Sequence, residues 1–168
     1  MSHREAIIEA FRKIPIGKGI EAIINESDYL LVSPYTWWIG SGRNSHTLYA
    51  CATINGHKTK MHRLIMNATK GQIVDHINGC GIDNRRQNLR LCSHSQNSAN
   101  MFRMALGSSR FKGVSWDKVK KRWFAKITVN YKQIALGRYR TEEDAARAYD
   151  AAAKTYFGKF ANINLGEL

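Results

Sequence analysis

The pattern of hydrophobic and polar positions divides the chain into short segments. Ile7, Ala10, Phe11 and Ile14 recur at i, i+3, i+4 and i+7, which predicts a short amphipathic helix stopped by Pro15 and Gly17. Strand-like runs follow at Ala22-Ile23-Ile24, Tyr29–Val32 and Leu48–Ile54. Asn55-Gly56 is a two-residue hairpin signal, with a return strand over His57–Met61. His62–Met66 begins a short helix, and Trp37 and Trp38 are assigned to the small core of this region, where large aromatics are mostly structural.

Residues 70–104 read as a hairpin followed by a helix. Val74–Ile77 is the first strand, Asn78–Asn88 a turn-rich loop, Leu89–Cys92 the return strand, and Ser93 or Ser95 the helix start. Ala105–Ser109, small and polar, is the linker candidate. Beyond it come three strands and a helix. Phe111–Trp116 is the first strand. Trp123–Val129 alternates as a half-buried strand must, Asn130–Lys132 turns, and Gln133–Tyr139 returns. Thr141 caps a helix with an Ala-rich stripe of Ala145, Ala148, Tyr149, Ala152, Ala153 and Tyr156, ended by Gly158. The fold class expected is α+β, with domains over 1–105 and 106–168.

Charge changes the picture. The 168 residues carry 26 Lys/Arg against 13 Asp/Glu, a formal net charge of +13. Residues 106–168 alone hold 13 of the basic and 6 of the acidic side chains. Such an imbalance is the footprint of a protein that meets a polyanion, most often nucleic acid. No apolar run approaches the roughly 20 residues of a membrane helix, so no membrane partner is expected. The N-terminus threads Arg4, Glu5, Glu9, Arg12 and Lys13 through its apolar residues and does not read as a signal peptide. An intracellular location, in the cytoplasm or nucleoid of a host cell, is therefore expected. Cys51, Cys80 and Cys92 are odd in number and lack C-x-x-C spacing, which argues against a disulfide framework or a cysteine zinc site.

Candidate chemistry lies in the central hairpin. Asp75 and His76 end one strand, and Asn97 faces them from the helix. A carboxylate and an amide oxygen are hard ligands suited to Mg²⁺, with Mn²⁺ as the alternative. A nearby imidazole can take a proton from water, and Arg85, Arg86 and Arg90 could hold neighbouring phosphates. A lone Asp-His pair is commonly no more than a polar turn. Here it sits among the ordered blocks MHRLIM, VDHING, DNRRQNLR and QNSAN.

Those blocks resemble the HNH nuclease motif, in the subclass common among phage and intron-encoded homing endonucleases. The resemblance extends upstream to about residue 21. It implies a ββα-metal fold with one divalent ion per active site, His76 as general base, Asp75 and Asn97 as metal ligands, and Asn84 fixing the loop and the orientation of His76. Neutral amide ligation by Asn97, where the family also uses His, implies weak binding of the Mg²⁺ type. His62 and Asn100 are read as structural, and His94 as a helix-start residue near phosphate.

A second resemblance covers residues 110–164. FKGVSW, KRWFAKI, ALGRY and TEEDAARAYDAAAKTYFGKFANIN are similar to the Apetala-type, ethylene-response-factor-type DNA-binding domain. That family lays its three-stranded sheet into the DNA major groove with the helix packed behind. The alternation agrees independently: Trp123, Ala125, Ile127 and Val129 share the helix-facing side, while Phe124, Lys126 and Thr128 share the other. Lys112, Ser115, Trp116, Lys118, Gln133 and Arg138 are further candidates for DNA contact carried over from the resemblance. Lys and Thr, where the plant pattern has more Arg, imply phosphate contacts and looser base reading.

The function expected is a metal-dependent, site-directed endonuclease of the homing type acting on double-stranded DNA. The N-terminal module would cut, and a separable C-terminal module would lengthen the recognised site. A monomer with one site would nick; a double-strand cut would need a weak dimer or two visits. The alternative is a DNA-binding transcriptional regulator with an inactive nuclease half, against which the intact Asp75, His76 and Asn97 count.

Overall fold

The computed structural model describes residues 10–41, 47–101 and 107–166. Helices and antiparallel sheets mix throughout, an α+β organisation. The chain forms two compact units, Met1–Cys92 and Ser93–Leu168.

The first unit opens with an antiparallel hairpin of β1 (Phe11–Pro15) and β2 (Glu21–Asn25), in which Ile14 faces Ala22. The helix expected over residues 7–14 is thus replaced, at Phe11–Ile14, by a strand; Ile7 lies outside the described residues. Pairing with β2 buries Ile14 and overrides the local helical spacing, and Pro15 is tolerated at the end of a strand. Tyr29–Val32, expected as a strand, is the short helix α1. A four-residue apolar run carries no period of its own. Here the helical turn buries Val32 and leaves Leu30 82% exposed.

A three-stranded sheet follows, of β3 (Trp38–Ser41), β4 (Leu48–Ile54) and β5 (His57–Lys60) in the order β3-β4-β5. The Asn55-Gly56 turn joins the last two, with both residues at positive φ as a tight hairpin demands. Trp37 is buried and donates its indole N–H to the Val32 carbonyl at 2.9 Å. Trp38, also assigned to the core from sequence, is instead more than a third exposed on β3. Helix α2 (Met61–Ile65) leads to a hairpin of β6 (Ile73–His76) and β7 (Leu89–Cys92). Val74 and Leu89 of this hairpin join Ile14, Ile24, Val32, Trp37, Met61 and Ile65 in one core. The three cysteines form no disulfide.

The second unit begins with α3 (His94–Asn100), capped by Ser93. The Ser93 hydroxyl accepts from the Gln96 N–H at 3.2 Å, and the Gln96 side chain accepts from the Ser93 N–H at 2.8 Å, a reciprocal capping box. Strands β8 (Val114–Asp117), β9 (Arg122–Val129) and β10 (Lys132–Tyr139) form an antiparallel sheet with β9 central. Helix α4 (Glu142–Phe157) covers one face, its N-terminus capped by Thr141, whose hydroxyl accepts from the Asp144 N–H at 3.1 Å. Ala145, Ala146, Tyr149, Ala153 and Phe157 are its buried apolar residues; Tyr156, placed in the stripe from sequence, is about half exposed. Gly113 has φ +75°, and a Cβ there would collide with the Tyr149 ring, so helix and sheet meet where only glycine fits. The linker expected over Ala105–Ser109 lies partly outside the described residues. Its end is not loose: Ser109 is buried and donates to the Glu142 carboxylate at 2.6 Å.

The turn between β9 and β10 places Asn130 at φ 47° and Tyr131 at φ 65°. Asparagine tolerates that region; a bulky aromatic does not. Tyr131→Gly is expected to stabilise the protein by about 1 kcal/mol, read from the midpoint of denaturant unfolding. An unchanged or lower midpoint would contradict this account of the turn.

Candidate active site and nucleic-acid interface

The site in the first unit grows from the β6–β7 register. Asp75 lies opposite Arg90, and His76 opposite Leu89. The cross-strand pair becomes an ion pair: Arg90 donates Nε and Nη2 to Oδ2 of Asp75 at 2.9 and 2.8 Å, with both side chains nearly buried. Arg90, expected to hold phosphate, thus serves the Asp75 carboxylate instead.

His76 ends β6 with 6% of its surface exposed. Its Nε2 lies 3.3 Å from Oδ1 of Asn84. Asn84 is fully buried; its own Nδ2 donates to the Ile82 carbonyl at 3.2 Å, which sets the amide so that Oδ1 faces the ring. An amide oxygen only accepts, so the imidazole carries its proton on Nε2 and its lone pair on Nδ1. The His62 ring from α2 meets His76 edge to face at 4.7 Å between centroids, and Tyr49 of β4 lies 6.0 Å away. Burial lowers the His76 pKa below its usual value, opposed by the Asn84 hydrogen bond and the Asp75 and Asp83 carboxylates. Burial, with the His76 and Lys60 charges nearby, lowers His62 to about 2. Both shifts favour the neutral ring, the state in which His76 can accept a proton.

Asn84 is held from the lead-in. Its backbone N–H donates to the Ile23 carbonyl at 2.7 Å, while the Ile23 N–H donates to Ile82 at 2.9 Å. Asn25 and Asp28 extend this grip. The Asn25 side chain accepts from the Arg86 N–H at 2.7 Å, and the Asp28 carboxylate takes the Arg86 guanidinium at 2.6 and 3.0 Å. Arg85 pairs with Asp83 at 2.7 and 2.8 Å, and that pairing lowers the Asp83 pKa. Asn78 and Asn88 bond each other and Asp83, closing the loop. Arg85 and Arg86, also expected on phosphate, are each paired with a buried carboxylate and remain partly exposed. The partners of Arg86, Asn25 and Asp28, lie more than fifty residues upstream and gave no local signal.

Asn97 lies on α3, in the second compact unit. Among the described residues no three His, Cys, Asp or Glu side chains are placed to hold a metal ion together. The donors that the resemblance implies, one carboxylate and one amide, would be a hard oxygen set. That suits an ion such as Mg²⁺, which keeps several waters and takes the rest of its shell from phosphate.

In the second unit the register decides the outer face. Ser115 lies opposite Phe124, Thr128 opposite Gln133, Lys126 opposite Ala135 and Phe124 opposite Arg138. Ser115, Phe124, Lys126, Thr128, Gln133 and Arg138 therefore share the side away from α4, as the alternation predicts. Arg122 joins them by the same parity, opposite Asp117. The sequence reading passed over it, although its alternation with Phe124 was visible. Arg138 bonds Asp117 at 2.8 Å and lies over the Phe124 ring at 5.0 Å. Lys118 is exposed in the turn after β8. Two candidates fall elsewhere. Trp116 pairs with Trp123, rings 5.1 Å apart, on the helix-facing side. Lys112 donates Nζ to the carbonyls of Ser98, Ala99 and Met101 at 2.8, 2.6 and 2.8 Å. Burial lowers its pKa to about 8, while acceptors at the negative end of a helix favour the ammonium.

Comparison with known proteins agrees with both halves. A family model described as HNH endonuclease matches residues 60–99, and the AP2 domain model matches residues 109–159. An uncharacterized HNH endonuclease of Acanthamoeba polyphaga mimivirus is 32% identical over 155 residues, 88% of this chain and 76% of its own length. The chain belongs to the HNH endonuclease family. Protein 3.8 of Escherichia phage T7 is 38% identical over 64 residues, 38% of this HNH chain and 53% of the phage protein. An AP2/ERF and B3 domain-containing protein of Oryza sativa subsp. japonica is 46% identical over 57 residues, 34% of the chain and 15% of the plant protein. Nuclease and AP2 domains both imply a DNA partner. No helix among the described residues is long and apolar enough to cross a membrane.

His62 also shapes the acid limb of stability in this HNH unit. Its folded pKa is about 2 against an ordinary 6.5, so between those values only the unfolded chain binds the proton. Stability then rises with pH through that interval and is lost on acidification, at about 1.4 kcal/mol per pH unit for one such group. His62 Nδ1 has no hydrogen-bond partner among the described residues, so removing the ring removes an unsatisfied group as well. His62→Leu is expected to flatten the fall in unfolding free energy below pH 6. An acid limb as steep as in the parent would refute it.

Proposed function

We propose that this protein is a metal-dependent, site-directed endonuclease of the homing type that hydrolyses phosphodiester bonds in double-stranded DNA. A ββα-metal nuclease domain over residues 1–105 would be followed by an AP2-type DNA-binding domain over residues 106–168. The observation that carries the reading is the hydrogen bond between the buried His76 and Asn84 side chains, which supports a neutral imidazole with its lone pair on Nδ1.

In this reading His76 removes the proton from the attacking water at Nδ1. Asn84 keeps the ring in that tautomer and plane, as an outer partner does for a catalytic histidine. Asp75 and Asn97 would hold one Mg²⁺ or Mn²⁺ ion, which when bound supplies charge stabilisation for the phosphate and the leaving oxygen. Arg90 holds the Asp75 carboxylate in its place. The outer face of β8–β10, with Arg122, Lys126 and Arg138, would lie against DNA and lengthen the recognised site. One site per chain supports nicking by a monomer, and cutting of both strands by a weak dimer or by two visits.

The test is cleavage of supercoiled plasmid carrying the native locus, with Mg²⁺, with Mn²⁺ and with chelator. Conversion to open-circle or linear DNA is expected only with metal. His76→Ala is expected to lower kcat by about 10²–10⁴-fold while DNA binding in chelator stays near that of the parent. Tight binding without cutting under any metal would overturn the nuclease reading in favour of a transcriptional regulator. The sheet face makes a separate prediction. Arg122→Ala and Lys126→Ala should each weaken binding across unrelated sequences and reduce the slope of log affinity against log salt by about 1. An unchanged slope would remove that side chain from the phosphate contacts.

A further inference from the structure

Helix α3 belongs by sequence to the nuclease motif, which the family match places over residues 60–99. By packing it belongs to the C-terminal unit. Ala99 is buried among Ile127 of β9 and Tyr149, Ala153 and Phe157 of α4. At the start of the helix, the Ser95 hydroxyl accepts from the Asn130 N–H of the β9–β10 turn at 3.1 Å. At its end three carbonyls converge on the Lys112 ammonium. Asn162 adds two bonds, from its side-chain amide to Asn100 at 3.1 Å and from its backbone N–H to Ala99 at 3.3 Å.

Lys112 is itself anchored. Its backbone N–H donates to Oδ1 of Asn164 at 2.6 Å, and its carbonyl accepts from the same side chain at 3.1 Å. Asn164 and Leu165 in turn donate three bonds to the buried Asp150 carboxylate of α4. A polar chain therefore runs from α4 through Asn164 and Lys112 to the last turn of α3. A seven-residue helix is too short to hold itself, and its stability must come from such contacts.

We infer that Lys112 is a positioning residue for the nuclease: it clamps the helix that carries Asn97, so the DNA-binding domain also sets the place of a metal ligand. This rests on the reading of Asn97 as a ligand. It replaces the separable division of labour expected from sequence, in which the C-terminal module only lengthens the site. A hydrogen-bonded outer partner of a ligand-bearing element commonly controls metal affinity or activity by 10–100-fold.

The experiment compares full-length parent, Lys112→Met and Lys112→Arg. Three quantities are read: amide hydrogen exchange across α3 without metal, DNA affinity in chelator, and the Mg²⁺ dependence of plasmid cleavage. Lys112→Met is expected to raise exchange in α3 and the Mg²⁺ midpoint by about tenfold each, with DNA affinity near that of the parent. Lys112→Arg, which keeps the donors, is expected to recover part of both. Cleavage by Lys112→Met with the parent's Mg²⁺ midpoint and kcat would overturn the inference alone. A parent chain that cuts under no metal would overturn the nuclease reading and this inference with it. If Lys112→Met does not fold, Asn162→Ala, which removes the amide bond to Asn100, is read by the same criteria.

Discussion

The first unit depends on the burial of Asn84. This residue, with none of its surface in water, ties its own loop and the end of β6 to β2, which is distant in sequence. Its backbone reaches the edge of β2, its amide nitrogen closes its own loop, and its oxygen holds the His76 ring. A buried amide left unsatisfied costs roughly 1–3 kcal/mol, so each of these bonds constrains the others. The β1–β2 hairpin is thereby more than a cover for the core, since it supplies the carbonyl against which the Asn84 loop is set.

The same economy governs charge. Arg85, Arg86 and Arg90 each meet a carboxylate that is almost fully buried. A buried carboxylate without such a partner would be expensive, and the pair is worth most as a constraint on geometry. Much of the basic charge around the central hairpin is thus used inside the fold. Of the 26 basic side chains, the 13 in residues 106–168 include the exposed ones on the β8–β10 face, which suits that face to a phosphate backbone.

Sequence families and packing divide the chain at different places. The family matches leave residues 100–108 between them, whereas the compact units part at Cys92. The element in dispute is α3. Its capping box is encoded within Ser93 and Gln96, but its apolar cover comes from β9 and α4. A short helix goes where its buried face is satisfied.

By itself the sequence determined what is local. The Asn55-Gly56 turn, the Thr141 cap, the Ser93 helix start and the alternation of β9 all follow from one or a few adjacent residues, and all are present. The contact of Asn84 with His76, implied by the family resemblance, is also present, because strand, loop and return strand lie within 20 residues. Tertiary structure decided what depends on distant partners. Phe11–Ile14 became a strand because β2 was available to pair with it. The motif arginines are ion-paired because Asp28, Asp75 and Asp83 lie within reach. Lys112, which by composition could have faced DNA, became the clamp of α3 because three carbonyls at a helix end are a better partner for a half-buried ammonium than water. Hydrogen bonds and ion pairs are chosen by proximity in space, and spacing along the chain carries that information only when the partners are neighbours.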